Sequence, residues 1–191
     1  MKKEKKQFIM WILLSALIAL PLYIFLHESG HAIIAVIGGA ENVRISILRA
    51  EMTSDLVSTP FISSLLSAAG PLFPLIIYSI AILFFRRDSK SIAHICCFYV
   101  ASPFAIFPIL SWVFIPIIGM VSEFPPRDDV SNFIYSTGWH PLWVLLLASV
   151  LLSLMILLIT VKGIPQAFFA LAKRVNSKNS AATPQGRESE T

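Results

Sequence analysis

Residues 8–37 read FIMWILLSALIALPLYIFLHESGHAIIAVI, an apolar run interrupted by one polar cluster at residues 27–31. A membrane helix needs about 20 consecutive apolar residues, and this run is also longer than the apolar core of a signal peptide. No small-residue cleavage site follows it. We therefore predict one long membrane helix that ends at Gly38 and Gly39.

The composition of the whole chain agrees with a membrane protein. Of its 191 residues, 56% are hydrophobic and only 14% are charged, whereas a soluble domain has roughly a quarter charged residues. Further apolar stretches cover residues 59–85, 91–122 and 141–161. The stretch 91–122 contains prolines and is interpreted as one kinked span, because prolines kink membrane helices without ending them. The predicted fold class is an all-α polytopic membrane protein with about four transmembrane helices, which excludes a soluble enzyme or a disordered binder.

Two segments differ from this pattern. Residues 43–47 alternate apolar and polar side chains with the period of two that is typical of a strand, so we predict a short membrane-surface β segment after the first helix. The residues after Lys173 are polar and are predicted to be disordered. The chain is thus divided into a transmembrane domain, residues 1–172, and a cytoplasmic tail, residues 173–191.

The charged residues lie on two sides of the predicted bundle. With four spans, one side carries the basic segments at residues 2–6, 86–90 and 173–178, and the other carries the net acidic segments 41–55 and 123–129. The positive-inside rule makes the basic side cytoplasmic. We therefore predict a multi-pass protein of the cell membrane with both termini in the cytoplasm. No basic face with interleaved aromatic residues is present, so the lipid bilayer is an expected partner and nucleic acid is not.

Residues 27–31, HESGH, fit the H-E-x-x-H pattern of metal-binding helices. On a helix His27 and His31 share one face, with Cβ atoms about 5–6 Å apart, so both imidazoles can bind one metal ion. Glu28 lies beside them and is predicted to take a proton from a metal-bound water, whose pKa zinc lowers to about 7. A glutamate and two histidines are costly in an apolar helix unless they are functional or paired. The alternative is a pair of interfacial histidines with Glu28 turned towards water.

Catalytic zinc usually has three protein ligands and one open position. His27 lies roughly 28 Å along the helix from its apolar start, near the predicted outer face, so the third ligand is expected on that face. The candidates there are Glu41, Glu51, Asp55, Glu123, Asp128, Asp129 and His140. Asp128 and Asp129 are favoured because they begin a helical turn after a long span. We predict Asp129 as the ligand with Asp128 as the alternative, since either aspartate can instead serve as a helix N-cap.

These motifs together resemble the site-2 protease family of intramembrane zinc metalloproteases. Residues 27–31 fit that family's H-E-x-G-H form, and residues 69–72, AGPL, look like its small-Gly-Pro element. Residues 128–129 stand where the family places an aspartate ligand, and the strand-like residues 43–47 stand where it has membrane-surface β-structure. The resemblance covers residues 8–135, which is most of the chain.

The resemblance implies a zinc-dependent metalloendopeptidase that hydrolyses a peptide bond of a membrane protein or peptide within or beside the bilayer. It implies Zn²⁺ as the cofactor, His27, His31 and Asp129 as its ligands, and Glu28 as the catalytic residue. The chain departs from the family in two respects. Residues 127–130, RDDV, replace the usual Asn-Pro…Leu-Asp-Gly signature, and the charge rule places the site near the outer face, whereas site-2 proteases commonly cut near the cytoplasmic face.

Three further roles are predicted around this site. Gly70 and Pro71 are expected to allow close approach between helices. An oxyanion stabiliser is expected, for which Asn132 is a candidate on proximity alone. The edge of the strand at residues 43–47 is expected to hold an extended substrate by strand addition.

Two functions from other classes remain open. A non-catalytic membrane protein on this scaffold, a pseudoprotease, would bind metal or peptide without cutting, although it would have no need of Glu28. A small cation or proton transporter would use His27, Glu28 and Asp129 as an ion path. Against a transporter, the chain has no inverted repeat and no acidic residues spread through the other spans.

Overall fold

The computed structural model describes residues 3–126 and 128–180. Over these residues the chain forms six helices and one two-stranded hairpin. The elements are α1 (Lys3–Ile37), β1 (Val43–Ser46), β2 (Glu51–Ser54), α2 (Pro60–Leu83), α3 (Ile92–Val121), α4 (Asp129–Thr137), α5 (Pro141–Val161) and α6 (Ile164–Ser180). The predictions made for Lys2, for Arg127 and for residues 181–191 lie outside the described residues.

Within the described ranges, the four helices α1, α2, α3 and α5 are long and apolar enough to cross a membrane. Their outward faces carry large apolar side chains, such as Leu17 and Val161, each 72% exposed. Water solvates such a surface poorly, whereas lipid solvates it well. The predicted all-α polytopic class is confirmed, and so is the interpretation of residues 91–122 as one span, because α3 runs through all its prolines.

Two of the spans begin at caps that the sequence provides. The Thr59 hydroxyl accepts the backbone N–H of Ile62, and Pro60 occupies the first position of α2. Proline suits this position because its missing N–H would have no partner there in any case. His140 and Pro141 repeat the arrangement at the start of α5. The starts of both spans are therefore fixed by local sequence.

The packing of the helices brings the first and fourth helices together. α1 and α4 both pack against α2, while α3 packs against α1 and α5. The main apolar core includes Leu26, Tyr78, Ile82, Ala105, Ile109, Ala148, Met155 and Ile159. A smaller cluster of Val130, Ile134 and Val144 fixes α4 against the start of α5. As a result, the first turn of α4 lies close to the part of the bundle where α1 and α2 meet.

The segment between α1 and α2 forms the predicted β segment. β1 and β2 pair as an antiparallel hairpin. The Asp55 carboxylate closes its base by accepting the side-chain amide of Asn42 at 2.7 Å and the backbone N–H groups of Asn42 and Glu41 at 3.1 Å each. One side chain therefore ties both ends of the hairpin together.

Replacing Asp55 by alanine is expected to loosen the hairpin while the helices remain intact, because three hydrogen bonds are lost. These bonds, led by the Asn42 side-chain amide, hold the pKa of Asp55 below its usual range. The stabilisation is therefore complete at neutral pH and is lost only as the pH falls through that lowered pKa. Backbone hydrogen exchange in residues 43–46 and 51–54 at pH 7 should become faster in Asp55→Ala and stay unchanged in Asp88→Ala. Unchanged exchange in Asp55→Ala would contradict this role.

The C-terminal segment corrects one prediction. The tail was expected to be disordered from residue 173, but α6 continues through Ser180. Leu171 and Val175 are 3% and 2% exposed and pack against Ile95 and Cys96. The average polarity of the tail conceals this amphipathic pattern, in which a few apolar side chains at helical spacing are enough to bury one face.

Candidate metal centre

The two histidines of the HESGH motif face the same point. His27 and His31 lie one turn apart on α1, and their Nε2 atoms are 3.2 Å apart. The Asp129 Oδ2 atom is 3.2 Å from Nε2 of His27 and 3.4 Å from Nε2 of His31. Three potential metal-ligand atoms from two distant segments therefore lie within 4.8 Å of one another.

The local structure of α4 separates the roles of the two aspartates. Asp128 is the N-cap, and its Oδ1 accepts the backbone N–H groups of Val130 at 2.9 Å and Ser131 at 3.2 Å. Asp129 occupies the first helical position and joins the histidines, whereas Asp128 lies outside the three-residue cluster. Val130 is fully buried and anchors this turn. The cap thus fixes the backbone that positions Asp129.

The negative charge of Asp129 is stabilised by the imidazoles. Burial alone would raise the pKa of its carboxyl group, but hydrogen bonds and charge interactions with His27 and His31 outweigh that effect and lower the pKa to about 2. Asp129 is therefore ionised throughout the neutral range. An ionised carboxylate beside two ring nitrogens has the form in which these groups bind metal ions.

A second layer of contacts orients the His31 ring. Its Nδ1 lies 2.8 Å from the backbone carbonyl oxygen of Leu66 on α2. When Nδ1 donates this bond and Nε2 gives up its proton, the lone pair of Nε2 becomes free to bind a metal ion, an arrangement usual for metal-binding histidines. The Nδ1 atom of His27 is buried and has no hydrogen-bond partner among residues 3–126 and 128–180. The two rings therefore differ at Nδ1, which has a hydrogen-bond partner in His31 and none in His27 within the described residues, whereas Nε2 of both rings faces Asp129.

Gly70 on α2 forms the floor beneath both rings. A Cβ atom at this position would overlap Nε2 and Cε1 of His31 and would lie 3.0 Å from Cε1 of His27. The predicted close approach of helices at Gly70 is thus present, and it occurs directly against the imidazoles. Gly30 on α1 likewise leaves no room for a side chain, because a Cβ atom there would overlap the backbone carbonyl of Ala69.

Replacing Gly70 by alanine is therefore expected to weaken metal binding by roughly 10–100-fold, the usual cost of disturbing groups that orient metal ligands. The added methyl group displaces the His31 ring. Competition with a chromophoric zinc chelator measures the change. Gly30→Ala is the comparison, because its methyl group meets the Ala69 backbone and is expected mainly to lower the thermal stability of the helix pair. Wild-type metal affinity in Gly70→Ala would contradict the steric assignment.

Glu28 borders the cluster without belonging to it. It is 5% exposed and lines a cavity of about 590 Å³ together with His27, His31 and Asp129. A carboxylate beside three potential ligands in a sheltered cavity is positioned to move a proton at a group bound there. The structure thus gathers all four residues that the motifs single out.

The other predicted third ligands lie outside the cluster. Glu51 lines the same cavity but pairs with Arg49 at 3.5 Å, Asp55 closes the hairpin, and His140 caps α5 by accepting the N–H of Leu142 at 3.2 Å. Asn132, the predicted oxyanion stabiliser, is exposed and does not line the cavity.

The strand beside the cavity differs from the predicted one. Glu51 and Met52 of β2 line the cavity, whereas none of residues 43–47 does. Nothing in the sequence indicated Tyr23 of α1 or Trp112 of α3, which also line the cavity. Apolar and aromatic residues within a span have no distinctive pattern that separates a cavity wall from a lipid-facing surface. Only the rotation of each helix in the bundle decides between them.

Comparisons of the chain with protein-family models, with curated proteins and with solved structures give no match. The resemblance to site-2 proteases therefore rests on the sequence motifs alone.

Proposed function

We propose that the protein is an integral-membrane zinc metalloprotease that hydrolyses a peptide bond of a membrane protein or peptide within or beside the bilayer. The observation that supports this proposal is the meeting of His27, His31 and Asp129 beside the buried carboxylate of Glu28. These groups lie in a cavity among helices that are able to cross a membrane. The same set of residues underlies the resemblance to site-2 proteases.

The donor atoms fit zinc. Two imidazole nitrogens and one carboxylate oxygen leave one position open in a four-coordinate site, as in catalytic zinc centres. The same donors also suit Fe(II) in oxygenases, so the metal itself has to be identified. Glu28 favours hydrolysis, because a hydrolytic site needs a general base at this position.

The residues of the cavity would have separate roles in peptide hydrolysis. Zinc held by His27, His31 and Asp129 would polarise the scissile carbonyl and make a water molecule more acidic. Glu28 accepts a proton from the attacking water and then delivers it to the leaving amine. The Leu66 carbonyl holds the His31 ring in position throughout.

A membrane helix has to unwind locally before it is cut, because its peptide groups are enclosed by helical hydrogen bonds. An extended segment can be held by addition to an exposed strand edge. We assign this role to β2, since Glu51 and Met52 border the cavity. The assignment replaces the earlier expectation for residues 43–47.

The proposal is tested by measuring the metal content of the purified wild-type protein by mass spectrometry, together with cleavage of a library of transmembrane peptides in detergent or nanodiscs. We expect about one zinc per chain, cleavage at discrete peptide bonds, and loss of cleavage on adding a chelator with recovery on adding zinc. The absence of bound metal would overturn the proposal.

The alternative functions give other results in the same experiment. Bound zinc without any cleavage would favour a binding protein on this scaffold. Metal flux into liposomes that contain the protein would favour a transporter.

A further inference from the structure

A second cavity lies where α2, α3, α4 and α5 meet. It has a volume of about 210 Å³, and apolar and aromatic side chains line it. A cavity of about 150 Å³ with such a lining is able to stay dry and bind a benzene-sized molecule. The second cavity therefore has room for one large apolar group and offers no hydrogen bonds to water.

This apolar pocket, as we call the second cavity, lies directly beside the metal centre. Pro71 and Trp112 line both cavities, and Gly70, next to Pro71, contacts the imidazoles. Phe133 of the apolar pocket lies four residues after Asp129 on α4, so the two share a helix face and their Cβ atoms are about 6 Å apart. Phe133 also packs on Trp112, with ring centroids 5.0 Å apart.

From this adjacency we infer that the apolar pocket binds the side chain of the substrate residue next to the scissile bond and selects a large apolar residue such as Phe or Leu. The inference rests on the proposed function. The side chain next to a peptide carbonyl at the metal centre begins only a few bonds from that carbonyl, and the two cavities share Pro71 and Trp112, so the apolar pocket lies within reach of that side chain. The volume of the apolar pocket suits a single ring. A lipid acyl chain is several times longer, so we assign the pocket to a side chain and not to a lipid. Substrates from the membrane are rich in such side chains.

Two neighbouring leucines on α5 provide a matched test. Leu147 lines the apolar pocket, whereas Leu146 does not, and their exposures are 49% and 48%. Leu147→Trp narrows the apolar pocket and Leu147→Ala enlarges it. Leu146→Trp and Leu146→Ala make the same changes beside it. Because these side chains lie apart from the three-residue cluster, zinc content is expected to stay at the wild-type level in all four variants.

The probe is a series of short peptide hydroxamates, whose hydroxamate group chelates zinc, with Ala, Leu or Phe as the residue next to it. Calorimetry gives their affinities whether or not the protein cuts peptides. For wild type we expect Phe to bind at least about 10-fold more tightly than Ala. Leu147→Trp is expected to lose this preference, Leu147→Ala to favour a naphthyl side chain over Phe, and both Leu146 variants to behave as wild type.

The possible outcomes separate the two proposals. Equal affinities across the series in zinc-loaded wild type would overturn the inference and leave the proposed function standing. Native mass spectrometry gives a second such outcome. If the hydroxamates bind with equal affinity and a co-purifying lipid is detected in wild type but not in Leu147→Trp, the inference is overturned and the proposed function still stands. Absence of zinc from wild type, measured before any peptide is added, would overturn the proposed function and this inference with it.

Discussion

A protein in which Glu28 is replaced by glutamine is expected to keep its zinc and to lose cleavage by about 10²–10⁴-fold, the usual contribution of a general acid–base. Glutamine has nearly the same shape and preserves the packing of a side chain that is only 5% exposed. It cannot accept a proton from the attacking water. Because Glu28 lies outside the three-residue cluster, the metal content should not change.

Cleavage and metal content are measured together on the same preparations. Glu41→Gln is the control, since Glu41 is exposed and does not line the cavity, and it should behave as wild type in both measurements. Cleavage by Glu28→Gln within a few-fold of wild type would remove Glu28 from the proposed mechanism.

Replacing Asp129 by alanine is expected to have the largest effect on metal binding. Loss of an outer partner of a metal ligand costs roughly 10–100-fold in affinity, and removal of a ligand itself should cost more. Asp129 supplies the carboxylate oxygen 3.2 Å from Nε2 of His27. Zinc affinity in Asp129→Ala should therefore fall by more than about 100-fold, with loss of cleavage.

The neighbouring Asp128 supplies the matched control. Asp128→Ala removes the N-cap of α4, which should lower the stability of the helix by about 0.5–2 kcal/mol while a measurable zinc site remains. Asp128→Asn restores a good cap and should restore wild-type thermal stability. If Asp128→Ala lost zinc and Asp129→Ala retained it, the two roles would have to be exchanged.

Much of the architecture follows from the sequence because the bilayer imposes length and polarity on each span. The charge-free stretches predict where the spans run, and Pro141 marks the start of α5 to the residue. The number of spans then determines which loops lie on the same side of the membrane. Because residues 91–122 form one helix, Asp129 returns to the side of His27, and the structure brings them together.

The remaining features depend on how each helix is rotated and packed. Gly70 was expected only to allow close helix approach, yet the imidazoles occupy the space that a side chain at this position would fill. The Leu66 carbonyl that orients His31 has no signature in sequence, since every residue has a carbonyl. The polar average of the C-terminal segment likewise concealed the buried face of α6.

The separation of the cluster along the chain has a consequence for biosynthesis. His27 and His31 belong to α1, which leaves the ribosome before α4, and Asp129 follows only after α2 and α3. A nascent chain thus reaches the membrane with both imidazoles and Glu28 in place, but without the aspartate that completes the three-residue cluster. On the proposed function, the ability to cut peptides would arise only once the bundle is nearly assembled, so an unfinished chain would be unable to cut the newly inserted proteins around it.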